Sequence, residues 1–357
     1  MQRIVVVGGN GYLGSRCVRA LRALGVEVSV ASRRGELRVD LSDPSTFENL
    51  AGADVIVDLA DTTTHAPDEL ARFCLGRGLV LVEGTSDPPA IRRIHEENAG
   101  KDHAGAVVLG AGIFTGVSNL LARAAARGVA NPESIELAIS SSPYSGAGQG
   151  TVALMVAGPG RAASRFADGA RRDEPAIARG PKIEFPGVTR PTLRLSFAEQ
   201  EMLGPSLGVP NTDVLFAPRP ALLVPAFLML PGFLVRSAIF RLFMGAYFAF
   251  LRRVLLRSTR SRVEMVATAR SDKDVARRTA VAEDGMAAGG NAAAAIALLV
   301  ARAKRPRGVV FVDQVVALDA VVELANRVAD ASDARIELGS ARAVAPSAAR
   351  PEAALRA

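Results

Sequence analysis

Val7-Gly8-Gly9-Asn10-Gly11-Tyr12-Leu13-Gly14 is the stretch on which the reading of this 357-residue chain turns. It carries GxGxxG at Gly9, Gly11 and Gly14, and a GxxGxxG frame at Gly8, Gly11 and Gly14. Just before it, Ile4–Val7 is a β-branched run of the kind that forms a buried strand. Just after it, Leu13, Cys17, Val18, Leu21 and Leu24 recur at helical spacing until Gly25 stops the helix. Strand, glycine loop and helix in that order give the motif its chemical meaning. Glycines allow the tight turn, a close approach of backbone to a pyrophosphate, and close packing of helix on strand. The helix N-terminus then offers N–H groups and a positive dipole end to the phosphates. A dinucleotide cradle formed by residues 8–14 is expected. The alternative is a tight structural turn in a sheet without a nucleotide.

The end of the second strand distinguishes between dinucleotides. A site for NAD places a carboxylate there, about 20 residues on, to hold the ribose hydroxyls. This chain has Ser32-Arg33-Arg34 instead. A guanidinium pairs with a 2′-phosphate, which a carboxylate would repel, so NADP(H) is the expected cofactor. Asp40 and Leu41 open the next crossover and are candidates to edge the adenine. Asp58, Leu59 and Ala60 end the third strand beside the cofactor, although either aspartate serves equally well as a cap or turn residue.

Outward from this loop, Val26–Ala31, Ala53–Leu59, Leu79–Val82 and Ala106–Leu109 read as strands, with helices over 68–75, 89–98 and 117–127. Alternation at this spacing predicts an α/β fold: a Rossmann-type doubly wound parallel sheet. Near Asn131 the pattern changes. Residues 135–140, 192–197 and 263–269 read as longer strands of a second, mixed α+β domain. The division expected is a nucleotide-binding domain over 1–128, with 275–335 folding back onto it, and a substrate or interaction domain over 129–274. Residues 285–303 form a small-residue helix and 318–328 another. The last residues, 340–357, lack periodicity and read as a disordered tail.

Composition removes several function classes. The AVILMFWYC set makes up 49% and charged residues 22%, which supports a sizeable core. Two cysteines, Cys17 and Cys74, cannot build a disulfide framework, and the three histidines show no HExxH spacing, so no metal site is expected. The net charge of +7 is mostly arginine spread along the chain, aromatics are 5% and tryptophan is absent. Nucleic-acid binders concentrate charge and interleave aromatics, so no nucleic-acid partner is expected. The first apolar run is four residues long and ends in glycine, unlike a secretory signal, which points to a cytoplasmic location.

Pro220–Val235 is a run of sixteen residues without charge, and ten more uncharged residues follow Arg241. The run is shorter than the ~20 residues a membrane span requires, and Pro225 and Pro231 interrupt it. Arginines at 236, 241, 252, 253 and 257 punctuate it, as suits guanidinium heads among anionic headgroups. The readings of 220–256 are a contact with the inner face of a membrane, an apolar interface of a homodimer, or a core element.

The opening GGNGYLG followed by VSVASRR also looks like an atypical short-chain dehydrogenase/reductase. That family's chemistry rests on Tyr-x-x-x-Lys. Tyr12, Tyr144 and Tyr247 are followed four positions on by Arg16, Gly148 and Leu251, so the pair is absent. The chain more closely resembles the saccharopine dehydrogenase-like family. Leu81–Asp87 (LVEGTSD) resembles its "YVDLTGE" strand end, Gly112–Leu120 (GIFTGVSNL) its "GFDSIPSDL" turn, and Ser145–Thr151 (SGAGQGT) its "SGGT" loop. Phe114 stands where that turn has aspartate, and Val117 where it has proline. The resemblance implies an NADP(H)-dependent oxidoreductase, with Gly112 and its turn near the nicotinamide. It also implies that the loop carrying Gly148, Gly150 and Thr151 borders the substrate. With the apolar stretch, it leads to a reductase of a C=O, C=C or C=N bond in a hydrophobic small molecule, lipid- or polyketide-like, at a membrane surface. A nonenzymatic NADP-binding sensor and an amino-acid dehydrogenase of the saccharopine type are the rivals. The proton donor is not identified by any motif, and Tyr144 is the candidate.

Overall fold

The computed structural model describes residues 3–35, 37–60, 67–142, 161–229, 237–254, 261–304 and 306–341. The first half runs β1 (Arg3–Val7), α1 (Tyr12–Ala23), β2 (Glu27–Ser32), β3 (Leu37–Arg38), β4 (Val55–Asp58), α2 (Asp68–Arg77), β5 (Val80–Glu83), α3 (Pro88–Asn98) and β6 (Ala106–Leu109). A tight turn over Ile113–Val117 leads into α4 (Ser118–Ala126). The second half opens with β7 (Ser134–Ser141), β8 (Ala163–Ala167), β9 (Ala170–Glu174), β10 (Ala178–Phe185) and β11 (Val188–Arg194). It continues through α5 (Glu199–Leu207), β12 (Asn211–Pro218), α6 (Leu223–Leu228), α7 (Ala238–Val254), β13 (Val263–Arg270) and β14 (Val275–Ala282). Last come α8 (Gly285–Arg302), β15 (Gly308–Phe311), α9 (Val312–Val315), α10 (Leu318–Arg327) and β16 (Glu337–Ala341).

The first sheet is parallel throughout, in the order β15-β6-β5-β4-β1-β2-β3. Its central strands β1, β4, β5 and β6 are buried on both faces: Ile4 and Val6 of β1 enter one core cluster, Val5 and Val7 the other. That explains an unbroken apolar run in place of alternation. The chain winds outward from β1 to β3, then returns to start β4 on the other side of β1. The two windings part at β1 and β4, the point at which sheets of this kind leave a crevice at the strands' C-terminal ends.

The second sheet is mixed, in the order β10-β11-β12-β7-β13-β14-β16, with the β8–β9 hairpin attached to β12. β7 and β12 run parallel while the remaining pairs are antiparallel. One core cluster joins the two sheets: Ile4 and Val57 of the first share it with Leu137 and Met265 of the second. α8 closes this layer. A Cβ on Gly290 would lie 2.4 Å from the Arg16 Cβ, so only a small-residue helix can approach α1 this closely. By length and hydropathy α8 would also suit a membrane crossing, but 72% of it is buried inside the protein.

The expected division at residue 275 falls one strand early. Residues 275–282 form β14, antiparallel to β13 across a tight 271–274 turn in which Ser271 N–H donates to Asp274 O at 2.9 Å. Consecutive arginines 277 and 278 hide its alternation in the sequence. The chain re-enters the first sheet only at β15. The strand expected over 192–197 is β11, ending at Arg194, and residues 337–341 pair with β14 where a frayed tail was expected to begin. Residues 342–357 lie outside the described residues.

Candidate functional site

The glycine loop lies at the mouth of the crevice. Gly8 adopts φ +74°, and a Cβ there would lie 2.8 Å from Ala60 N and Cα. A Cβ on Gly14 would lie 2.2 Å from Gly8 O. Loop, helix start and the 58–60 turn are therefore in backbone contact, and the cradle would be filled by any side chain. Gly11 caps α1 without a side-chain hydrogen bond, and the first turn holds no acidic residue. The N–H groups of a first helical turn have no intrahelical acceptor. They make a seat for an anion here, and the residues fit a pyrophosphate. Asn10 and Tyr12 are exposed and Leu13 half-buried, with the Arg16 guanidinium 4.0 Å from the Tyr12 ring centroid.

Ser32 ends β2 next to this loop, where Asn10 Nδ2 donates to Ser32 Oγ at 3.4 Å. Arg33 and Arg34 follow in an exposed turn. The three residues thus follow β2 directly beside the glycine loop. Asp40 is turned to local work: Oδ1 accepts from Ser42 N (3.0 Å) and Ser42 Oγ (2.6 Å). Leu41 packs against the core behind it.

Asp58 points inward. It is 1% exposed, and its Oδ1 accepts from Ala60 N–H at 2.9 Å, shaping the turn that meets Gly8. Beside it in register on β5 sits Glu83, fully buried, whose Oε1 accepts from Thr85 N–H at 2.8 Å. Burial pushes the Asp58 carboxyl up to about 6, against its backbone hydrogen bond; burial and then the Asp58 charge hold Glu83 well above the usual carboxylate range. Glu83 lies within the Leu81–Asp87 segment, and nothing in the sequence alone marks it for a role.

The 112–117 turn forms the next wall. Gly112 is buried at φ +81°, and Thr115 holds φ +57°. Glu199, from the start of α5, reaches into it: Oε1 accepts from Thr115 N–H at 3.0 Å and Ser118 Oγ at 2.8 Å. Glu199 lies 84 residues from Thr115 along the chain, and no sequence pattern marks it. Phe114 is half-buried against the core. Tyr144 and the loop residues Gly148, Gly150 and Thr151 lie outside the described residues. Among the described residues no group of three or more His, Cys, Asp or Glu is placed to hold a metal ion.

Farther out, α7 carries Ile239, Leu242, Phe243, Tyr247 and Phe250 on one helical face, exposed by 81, 77, 66, 40 and 59%. The core reading of the apolar stretch therefore fails for α7. It holds for Val224 of α6, which is 2% exposed against the second sheet.

Residues 4–72 match the family model described as the NAD dependent epimerase/dehydratase family. The matched segment runs from β1 into α2 and carries the whole glycine loop. No curated protein matches the chain. Among solved structures, UDP-glucose 4-epimerase from Thermus thermophilus, in complex with NAD, aligns at 23% identity over 24% of this chain and 38% of its own, with a TM-score of 0.20. A probable aspartate-semialdehyde dehydrogenase from Pseudomonas aeruginosa aligns at 12% identity over 75% of this chain and 74% of its own, TM-score 0.35. A dehydrogenase from Clostridium difficile aligns at 8% identity over 80% of each chain, TM-score 0.32. The chain spans well under two thirds of the epimerase.

Proposed function

We propose that the protein is an NADP(H)-dependent oxidoreductase of saccharopine dehydrogenase-like organisation. It acts on a hydrophobic, lipid- or polyketide-like small molecule and works from the inner surface of a membrane. The observation that carries the cofactor assignment is the Ser32-Arg33-Arg34 turn beside Asn10, at the ribose end of a cradle that no side chain fills. Bound NADPH supplies a hydride. The chain's own part is to seat the pyrophosphate on the start of α1 and to aim the nicotinamide with the 58–60, 84–85 and 112–117 turns. Leu59, which crowds Gly84, and Leu13, which lies against Gly112, are the apolar side chains that keep water from that end. Exchanging Arg33 for alanine should weaken NADPH by about 1–3 kcal/mol, roughly 5–150-fold, and leave NADH nearly unchanged. Titration of both cofactors checks this; equal losses would remove the 2′-phosphate assignment. Turnover is tested by NADPH oxidation with apolar enones, ketones and imines, and an inert panel would leave a nucleotide-binding sensor.

The membrane part rests on the exposed apolar face of α7 and on the sequence of this stretch, in which arginines 236, 241, 252, 253 and 257 punctuate the apolar residues. The protein is expected to sediment with anionic liposomes at low salt, and more weakly but measurably at high salt. Leu242→Asp combined with Phe243→Asp should leave it in the supernatant with NADPH binding intact. Wild-type protein that stays in the supernatant and elutes as a dimer would assign α7 to a subunit interface.

A further inference from the structure

The in-register carboxyls of Asp58 and Glu83 are a feature that cofactor seating does not by itself explain. Each uses one oxygen on the backbone N–H two residues ahead. The other two, Asp58 Oδ2 and Glu83 Oε2, are buried with no partner among the described residues. In-register neighbours on parallel strands lie about 5 Å apart with side chains on the same face. Two ionised carboxylates held so close without water would repel strongly, and each orphaned oxygen would carry a desolvation cost. One proton between Oδ2 and Oε2 removes both problems, because one oxygen then donates to the other.

No cation among the described residues faces the pair to offer another solution. α2 presents the buried Cys74 and, nearer its start, Asp68, which acts on Glu83 as a further negative charge. Asp68 is itself engaged by Arg93 of α3 at 3.0 Å. Asp87, in the loop after β5, is paired with Arg161. The flanking strands β1 and β6 end in Val7 and Leu109.

The pair also stands where protonation would be felt by the cofactor. Asp58 holds Ala60 against Gly8, Gly84 N–H donates to Asp58 O at 3.0 Å, and Gly110 N–H donates to Glu83 O at 2.9 Å. The 58–60 and 83–85 turns thus hang on these two side chains, and the backbone of the same residues joins them to Gly84 and Gly110. We infer that Asp58 and Glu83 share one proton and act together as positioning residues, a protonation latch that keeps the crevice in its dinucleotide-binding shape. The effect on the cofactor rests on the dinucleotide reading above; the shared proton does not.

The sign follows from the bound proton. The folded chain retains a proton that the unfolded chain releases in the ordinary carboxylate range. Stability therefore falls as pH rises from that range through about 6, the Asp58 value, and on through the higher Glu83 titration. Apo wild-type protein should lose melting temperature over this window. Glu83→Gln, which keeps an acceptor for Thr85 and a donor for Asp58, should flatten the loss, and Asp58→Asn should do likewise. Infrared spectra of wild type at neutral pH should show a protonated-carboxyl stretch that Glu83→Gln removes. NADPH affinity should fall about tenfold or more on the alkaline side in wild type and stay level in Glu83→Gln, the 2′-phosphate titration being common to both. Superimposable melting profiles and no protonated-carboxyl band would overturn the latch. Absence of NADPH binding at every pH, with the apo differences intact, would instead overturn the dinucleotide reading.

Discussion

Gly14→Val is expected to abolish NADPH binding, weakening it at least about 100-fold, and to destabilise the fold by about 2–4 kcal/mol. A Cβ at Gly14 would stand 2.2 Å from Gly8 O, 2.8 Å from Gly8 C and 2.9 Å from Gly9 Cα. All three are backbone atoms, so no rotamer change relieves the clash, and α1 must move off the loop it is meant to seat. The positive end of its dipole then leaves the phosphate position. Gly25 is the control. It follows the end of α1 at φ +75° with nothing within 4 Å, so Gly25→Ala should cost only the left-handed penalty of about 1–2 kcal/mol and leave NADPH affinity unchanged. Isothermal titration and chemical denaturation of both variants separate the two effects; matching losses of affinity would show that the loop does not hold the cofactor.

Glu199→Ala is expected to cost about 2–5 kcal/mol, read by denaturant unfolding. It leaves the Thr115 N–H and the Ser118 hydroxyl buried without their acceptor, in a turn where Thr115 already holds a left-handed backbone. Glu199→Gln keeps an acceptor oxygen at the same reach and should cost less than half as much. The same bond ties α5 of the second domain to the turn that follows β6, so the alanine variant should also blunt NADPH affinity by loosening the 112–117 wall. Equal stability of the alanine and glutamine variants would mean that the carboxylate is not the support of this turn.

Much of the parallel sheet was legible because its signals are short-range. β1, the loop and α1 are contiguous, and β1, β4, β5 and β6 announce themselves by apolar runs buried on both faces, whereas β3 is only two residues long and left no such mark. The second sheet was read only in part for an equally concrete reason: β7, β12 and β13 are buried on both faces, but β9 and β10 lie largely exposed and carry charged residues that break any apolar pattern. The β8–β9 hairpin carried one usable signal, Asp168-Gly169, whose φ values of +54° and +74° are those of a tight hairpin turn. β12 (NTDVLFAP) ends on a proline and pairs in parallel with β7, a partner 77 residues away, which no local pattern reveals.

By itself, then, the sequence determined the parallel-sheet half and the tight glycine loop that opens α1, because both are made by neighbouring backbone, where glycine spacing is geometry. It also determined that residues 220–256 carry apolar surface to be covered by a membrane, a second subunit or the core, since hydropathy is a local property. Only the tertiary structure decided that α7 turns this surface outward, that Glu199 crosses between domains to hold the 112–117 turn, and that Asp58 meets Glu83. Those contacts depend on strand register and helix docking between segments tens of residues apart. A carboxylate's surroundings, and hence its proton, come from whatever the fold places beside it.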